Sequence, residues 1–413
     1  MSQPTQHDPY AALRIPNFRW FVTSLLAMTV ATQIQAVVVS WQIYELTHDP
    51  LSLGLIGLAE AVPFIGFALF AGHLADRVNR LRISLVALAV LLACSLALFG
   101  FTLRPGIIAV HRVWPIYAVI FVSGIARSFL QPARSALGAE VVPRSLYPNA
   151  VTWRSSAWQL AEVVGPAIGG IVYGFGSARA AYGVDAALMA VGVVSLTRMR
   201  HSPRPGTLSG ESFLESLATG VRFVRGQPVI LGALTLDLFS VLFGGAVALL
   251  PVFAAEILHI GPEGLGILRA SPAVGAVFMS LLMAHRPPLR RAGRTLLVSV
   301  ALFGLSMIGF GLSRNFFLSS ALLALSGMVD TVSVVVRSTL LQVLTPDHLL
   351  GRVASVNAIF IGSSNELGAF ESGTAARLIG TVPSVLLGGT LTLVVVALTA
   401  IKVPSLRRLR EIR

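Results

Sequence analysis

Long apolar stretches alternate with short polar segments along nearly the whole chain. Each stretch has about 20 residues, the length that an α-helix needs to cross the hydrocarbon core of a bilayer. A segment inside hydrocarbon must satisfy its own backbone hydrogen bonds, so the stretches are predicted to be helices. We predict twelve spans, at 18–45, 50–73, 82–103, 114–136, 149–175, 179–197, 228–251, 262–285, 295–312, 316–341, 353–378 and 382–401.

The polar segments between the spans divide the chain into parts. Residues 1–17 lack the features of a cleaved signal peptide and are predicted to remain as a cytoplasmic segment. The segment 198–227 is predicted to be a cytoplasmic linker between one bundle of six spans (18–197) and a second (228–401). Within the linker, SFLESLATGVRFV predicts an amphipathic helix along the membrane surface. A basic cytoplasmic tail, 402–413, ends the chain.

The composition agrees with a membrane protein and excludes several other classes. Hydrophobic residues make up 55% of the chain and charged residues only 12%, and the mean hydropathy is +0.79. The net charge of +13 comes almost entirely from arginines that lie between apolar segments, which argues against nucleic-acid binding. The single cysteine, Cys94, excludes an intramolecular disulfide and is predicted to pack inside an apolar run.

The arginines also predict how the chain is oriented in the membrane, because positively charged loops resist translocation. With the N-terminus inside, most arginines fall in inner segments, and the outer set contains only Arg104, Arg112, Arg179, Arg314 and Arg377. An even number of spans returns the chain to its starting side. We therefore expect both termini in the cytoplasm.

Two sequence matches indicate that the bundles are related by an internal repeat. The stretch at 123–146 aligns without gaps on 326–349, and the stretch at 57–66 aligns on 266–275. The matched residues include Gly124 with Gly327, Arg134 with Arg337, Gly57 with Gly266, and Pro63 with Pro272. Related bundles with a substrate site between them are typical of secondary transporters.

A cluster of charge lies between the second and third spans, in GHLADRVNRLR. Its residues Gly72, Asp76, Arg77 and Arg80 resemble the loop signature of the major facilitator superfamily, with Asn79 in place of the usual glycine. Asn79 is acceptable there if the backbone is left-handed, a conformation that asparagine adopts more readily than most residues. The resemblance implies a latch that holds the two bundles in the outward-open state. The alternative is a solvated loop that serves only topology.

The fifth span carries a second signature, formed by Gly165, Pro166, Gly169 and Gly170. It resembles the Gly-Pro-x-x-Gly-Gly element of proton-coupled antiporters in the same superfamily, with Ala161 at the position of the expected first glycine. The resemblance implies a hinge, because proline bends a helix and glycine allows close helix packing. A simple packing kink is the alternative.

Four stretches resemble one branch of this superfamily, the branch that contains the bacterial enterobactin exporter. They are WQIYELTHDPLSLGLIGL, GHLADRVNRLR, ESLATGVRFVRGQP and LQVLTPDHLLGRV. The resemblance implies the major facilitator fold, with twelve transmembrane helices in two pseudo-symmetric bundles. It also implies a bacterial inner (cytoplasmic) membrane and export of siderophores, drugs or other metabolites.

Ionisable side chains inside the spans are costly, so each requires a partner or a wet cavity. Glu60 lies near the midplane, and the repeat relates it to Arg269, just as it relates Arg127 to Asp330. We expect charge pairs of Glu60 with Arg127 and of Asp330 with Arg269. Apolar surroundings favour a protonated carboxyl group and a nearby arginine favours the ionised form, so such pairs could couple transport to protons. A static pair that fixes helix register is the alternative.

Other polar residues in the spans are further candidates. Glu366 and Glu371 are five residues apart and cannot share one face of a helix, while Asp185 lies near a membrane end and is expected to reach water. Substrate-cavity candidates lie on the first span, where Gln35 and Gln42 share a stripe beside Trp41 and Tyr44. Interhelical hydrogen bonding is the alternative for these amides. The remaining candidates for the charge network are Glu162 and Asp237.

The sequence is therefore that of a membrane transporter, and the leading hypothesis is a monomeric, proton-coupled exporter of a small amphiphilic molecule. A uniporter or importer of the same fold is the second hypothesis, and a non-transporting scaffold or sensor is a third. No nucleotide-binding loop, catalytic constellation or metal-ligand spacing is found, so we expect no enzyme activity, cofactor or metal. The expected partners are the substrate, protons and the lipid bilayer.

Overall fold

The computed structural model describes residues 8–104, 106–108, 113–200, 213–285 and 291–409. Within these ranges, the side chains of residues 68, 69, 72, 73, 75–77 and 213–216 lie outside the description. Parts of the predicted N-terminal segment, linker and basic tail therefore lie outside the described residues.

The described residues form helices and contain no strand, as predicted. The α-helices are α1 Pro16–Thr47, α2 Pro50–Arg77, α3 Arg80–Leu103, α4 Trp114–Glu140, α5 Tyr147–Phe175, α6 Ala178–Thr197, α7 Phe213–Gly226, α8 Pro228–Gly244, α9 Leu250–Val252, α10 Gly261–Ala284, α11 Ala292–Leu312, α12 Phe316–Leu344, α13 Leu350–Ile379, α14 Thr381–Lys402 and α15 Pro404–Arg408. A 3₁₀ turn and a π turn extend α8 and α9 into one interrupted element, Pro228–Ile257.

Ten of the described elements are long and apolar enough to cross a membrane by length and composition. The remaining two of the twelve predicted spans correspond to α5 and α13, which have 29 and 30 residues. Both carry charged side chains in their middle, including Glu162, Glu366 and Glu371. Both are packed against other helices rather than isolated in lipid, and this environment tolerates polar residues at membrane depth.

Side-chain caps set the beginnings of several helices. Asp49 accepts a hydrogen bond from the Leu51 amide at the start of α2, and Asn79 does the same for the Leu81 amide at the start of α3. The φ angle of Asn79 is −55°, so its backbone is not left-handed. The asparagine in the superfamily-like loop is therefore explained by helix capping, which differs from the explanation expected from sequence.

The repeat found in the sequence is also present in the packing. In the first half, a Cβ atom on Gly124 of α4 would lie 2.7 Å from the Pro63 side chain of α2. In the second half, Gly327 of α12 lies against the backbone of Pro272 of α10. The two matched glycine–proline pairs thus form equivalent helix contacts, α2 with α4 and α10 with α12.

The two halves meet through α2 with α13 and through α5 with α10. We call the end of the bundle with the chain termini the termini end, and the opposite end the far end. Among the described residues, one hydrophobic cluster joins the halves, and it lies toward the far end. This far-end cluster includes Val37, Tyr44 and Leu53 of the first half and Leu250, Phe253, Leu265 and Leu268 of the second.

Polar contacts reinforce the closure at the far end. The Asp49 carboxylate lies 3.3 Å from the Arg377 guanidinium of the other half. The Tyr44 hydroxyl donates a hydrogen bond to Glu256, in the π turn after α9. Backbone also approaches backbone here, since a Cβ atom on Gly373 would lie 2.7 Å from Gly54 Cα. The far end is therefore closed in this structure.

We expect Gly373→Val to open the far end, because its side chain would displace the Gly54 backbone. The measurement is maleimide labelling of a cysteine placed at Leu265, a fully buried residue of the far-end cluster, in a Cys94→Ala background. Gly100→Val is the matched control, since nothing lies within 4 Å of a Cβ atom there. Equal labelling of the two valine variants would contradict the role of this contact.

Candidate functional site

Charged side chains of the first half meet in the middle of the bundle. Arg127 Nη1 of α4 lies 2.9 Å from Glu60 Oε1 of α2, so the predicted pair forms. The side chains of Arg127 and Glu60 remain 38% and 25% exposed. Because both residues lie at mid-span and face other helices, this exposure indicates that they line a gap inside the bundle.

The second half contributes charges to the same place. Glu366 of α13 lies within hydrogen-bonding reach of the Glu60 carboxyl group and beside Arg127. Arg269 of α10 has Glu60, Glu366 and Glu162 as its acidic neighbours. Its Nη1 atom lies 3.5 Å from the Ala36 carbonyl oxygen of α1 and donates to it. The cluster is thus built by both halves.

Glu162 of α5 completes this cluster on the side of the first half. Gln33 Nε2 of α1 donates a hydrogen bond to Glu162 Oε1 over 3.3 Å, and Trp158 also contacts the Glu162 carboxyl group. Gln33 was missed in the sequence, where its neighbour Gln35 was preferred because of its spacing from Gln42. We name the set the central charge cluster: Gln33, Glu60, Arg127, Glu162, Arg269 and Glu366.

The expected pair of Asp330 with Arg269 does not form. Asp330 of α12 is exposed and makes no ion pair with a described residue. Arg269 instead faces the acids of the first half. The physical reason is the packing of α10 against α5, which places Arg269 near Glu60 and Glu162 of the first half in addition to Glu366.

Three other predicted acids lie outside the central charge cluster. Asp237 of α8 forms an ion pair with Arg337 of α12, and both side chains are nearly fully buried within the second half. Glu371 is contacted by the Ser372 hydroxyl, away from Glu366, as their helical spacing predicts. Asp185, expected to reach water, is fully buried, and neither of its carboxylate oxygens has a hydrogen-bond partner.

The predicted cavity residues of α1 point in different directions. The Tyr182 hydroxyl of α6 donates to Gln42 Oε1 over 2.7 Å, so Gln42 faces the core of the first half. Tyr44 lies buried in the far-end cluster, and Trp41 packs against that cluster. Gln35 is partly buried, and no hydrogen bond of its side chain to a described residue is found. The interhelical alternative therefore describes Gln42.

The two superfamily-like motifs lie on opposite sides of the central charge cluster. In the loop motif, Arg80 forms an ion pair with Glu140 at the end of α4, while the side chains of Gly72, Asp76 and Arg77 lie outside the described set. In the helix-five motif, Gly165 and Gly169 pack on α1 at Gln33 and Ile34.

Gly170 and Pro166 of the helix-five motif face the second half instead. A Cβ atom on Gly170 would lie 2.8 Å from Gly266 Cα, and the Pro166 carbonyl oxygen also approaches Gly266. Gly266 is the residue that the repeat matches with Gly57, which packs against α13 at Ala369. Both members of the repeated pair therefore lie at contacts between the halves.

No group of three or more metal-ligating side chains occurs among the described residues. Residues 7–411 match the family model described as transmembrane secretion effector. The chain is 26% identical to the enterobactin exporter EntS of Shigella flexneri over 397 residues, which cover 96% of this chain and 94% of that protein. It is equally similar to EntS of Citrobacter koseri, with 26% identity over 405 residues and the same coverage.

Solved transporter structures share the fold. A D-xylose–proton symporter superposes with a TM-score of 0.73 at 13% identity, covering 95% of this chain and 99% of the symporter. The nucleoside transporter NupG superposes with a TM-score of 0.70 at 13% identity, covering 94% and 99% of the two chains. At this identity the likeness concerns the fold alone. The chain is a multi-pass membrane transporter that belongs to the transmembrane secretion effector family of the major facilitator superfamily.

Proposed function

We propose that the protein exports a small amphiphilic molecule, such as a siderophore or a drug, in exchange for protons. The observation that carries this proposal is the central charge cluster, because its acids and arginines come from both halves and lie at mid-span. Any rocking of one half against the other moves Glu366 and Arg269 relative to Glu60 and Arg127. Alternating access therefore changes the charge that surrounds each carboxyl group.

Proton coupling requires that the proton affinity of a carboxyl group depend on how the two halves are arranged. Two carboxylates within hydrogen-bonding reach repel each other when both are ionised, so a proton held between Glu60 and Glu366 stabilises their contact. Separation of the halves removes that contact and leaves Glu60 with Arg127, which favours the ionised form. The proton affinity of the pair therefore changes with access, and exchange requires that the proton enter from the far-end side and leave on the side of the termini.

The closed far end indicates which state of the transport cycle this structure represents. The arginine distribution supports cytoplasmic termini, and the bacterial relatives support a bacterial inner membrane. The bundles 18–197 and 228–401 are proposed to lie on either side of the gap. In that orientation the structure is closed to the outside, which is the state that accepts substrate from the cytoplasm. The loop around Arg80 is proposed to stabilise the opposite, outward-open state, and the helix-five glycines to form the hinge.

Export is favoured over uniport or import by the family and by the curated relatives, which are named as enterobactin exporters. Fold likeness does not decide the direction, because the neighbours include a D-xylose–proton symporter. A scaffold or sensor without transport is disfavoured, because exposed mid-span charges need a wet gap. We propose that the protein acts as a monomer.

The test is transport by the purified protein in liposomes. We expect an imposed pH gradient, with protons more concentrated on the far-end side, to drive enterobactin or ethidium toward that side. Collapse of the gradient with a protonophore is expected to stop the movement. Movement of the same rate without a gradient would favour the uniporter, and no movement of a broad panel of amphiphiles would contradict the transport proposal.

A further inference from the structure

Two arginines of the first half lie between the central charge cluster and the termini end. Arg134 is seven residues beyond Arg127 on α4, about 10 Å nearer the termini end and on the same side of the helix. Arg154 lies on α5 at a spacing of four residues from Trp158, which is itself four residues from Glu162. This spacing places Arg154, Trp158 and Glu162 along one side of α5. Both arginines therefore lie on the approach to the cluster.

Within the described part of the chain, no acid neutralises either arginine. No described carboxylate forms an ion pair with Arg134 or Arg154. The Arg134 guanidinium lies 5.4 Å from the centre of the Trp158 ring, and the Arg154 guanidinium lies 5.7 Å from the centre of the Phe21 ring. Arg134 also has Arg154 and Arg127 as like-charged neighbours. The site is thus a pair of cations held by aromatic rings.

In the second half, the arginine that the repeat matches with Arg134 is neutralised by an acid. Arg337, matched with Arg134, forms its buried ion pair with Asp237 on the first helix of the second half. In the first half, Arg134 Nη1 instead lies 4.0 Å from Met28 Sδ on α1. The chain offset that relates Gly57 to Gly266 also relates Met28 to Asp237. The first half therefore has Met28 at the position where the second half has the acid Asp237.

An uncompensated guanidinium at membrane depth is expensive, and an anionic ligand removes the cost. Trp158 is 41% exposed, so the aromatic support of Arg134 is itself accessible from outside the protein core. Arginine is well suited to hold a carboxylate or a similar oxyanion through charge-assisted hydrogen bonds. The pair lies between the central charge cluster and the termini end, which is the side from which substrate arrives in the proposed function.

We propose that Arg134 and Arg154 form a binding site for the oxyanion of an organic anion that the protein transports. The inference rests on the proposed transport function and deepens it, because it selects organic anions over neutral and cationic amphiphiles. The second half cannot offer an equivalent site, since Arg337 is already paired with Asp237.

The test uses Met28→Asp, which supplies to the first half the acid found in the second. Dansylglycine and its uncharged methyl ester are titrated against the protein in phosphatidylcholine nanodiscs, with empty nanodiscs subtracted. We expect the natural protein to bind the carboxylate at least about tenfold more tightly than the ester, the value of one charge-assisted hydrogen bond. Met28→Asp is expected to abolish this preference, and the control Met28→Leu to retain it.

Arg134→Met provides an independent variant if the new carboxylate disturbs folding, and it is also expected to abolish the preference. Equal binding of carboxylate and ester by the natural protein would overturn the inference, as would a preference that survives both Met28→Asp and Arg134→Met. Liposome transport separates this result from the proposed function. A protein that transports enterobactin but binds the carboxylate and the ester equally refutes only the inference. A protein that binds the anion but transports nothing refutes the transport proposal and leaves only the anion site.

Discussion

Replacement of Glu366 by glutamine is expected to uncouple substrate movement from the pH gradient. Glutamine keeps the shape of the side chain but cannot carry a proton, so the contact with Glu60 across the halves no longer depends on protonation. A coupling of two sites is typically worth about 5–150-fold, and we expect gradient-driven transport to fall by about tenfold or more. The measurement is the initial rate in liposomes with and without the gradient.

Glu371→Gln is the matched control for this prediction. Glu371 lies on the same helix, five residues away, but its described side-chain contact is Ser372 rather than the central charge cluster. Its replacement is expected to leave the response to the gradient intact. If Glu366→Gln responded to the gradient as the natural protein does, Glu366 would not be the proton-carrying group, and the same comparison would then be made with Glu60→Gln.

Replacement of Asp237 by alanine is expected to destabilise the protein more than any other single change considered for the second half. Asp237 and Arg337 are both buried, and removal of one partner leaves an uncompensated charge in a low-dielectric environment. Breaking a buried ion pair in this way costs about 3–5 kcal/mol. The measurement is thermal unfolding of the purified protein in detergent.

Two further variants show whether the lost pair is the cause. Asp237→Leu combined with Arg337→Met removes both charges, and we expect most of the stability to return because no charge is left buried. Asp330→Ala removes an exposed acid that forms no ion pair with a described residue, so a small change is expected. Similar melting temperatures for Asp237→Ala and Asp330→Ala would contradict the assigned importance of the buried pair.

The position of each charge along the chain could be predicted, but its partner could be predicted only in part. The pair of Glu60 with Arg127 was expected because the repeat exchanges acid for base at matched positions, and it forms. Which acids neighbour Arg269 depends on how closely α10 packs on α5 across the two halves. The distance between these two helices cannot be predicted from the residue pattern of either helix alone. Gln33 and Gln42 show the same limit, because their roles depend on which neighbouring helix each residue faces.

The sequence alone determined the helical membrane fold, the internal repeat and the mid-span position of Glu60. Hydrocarbon imposes these features locally, since each span must be long and apolar enough by itself and each costly charge is visible within it. Only the tertiary structure decided that the far end is closed, that Arg269 faces the acids of the other half, and that Arg134 lacks the acid that Arg337 possesses. These features depend on close approach between helices distant in sequence, where differences of a few ångströms select one partner over another.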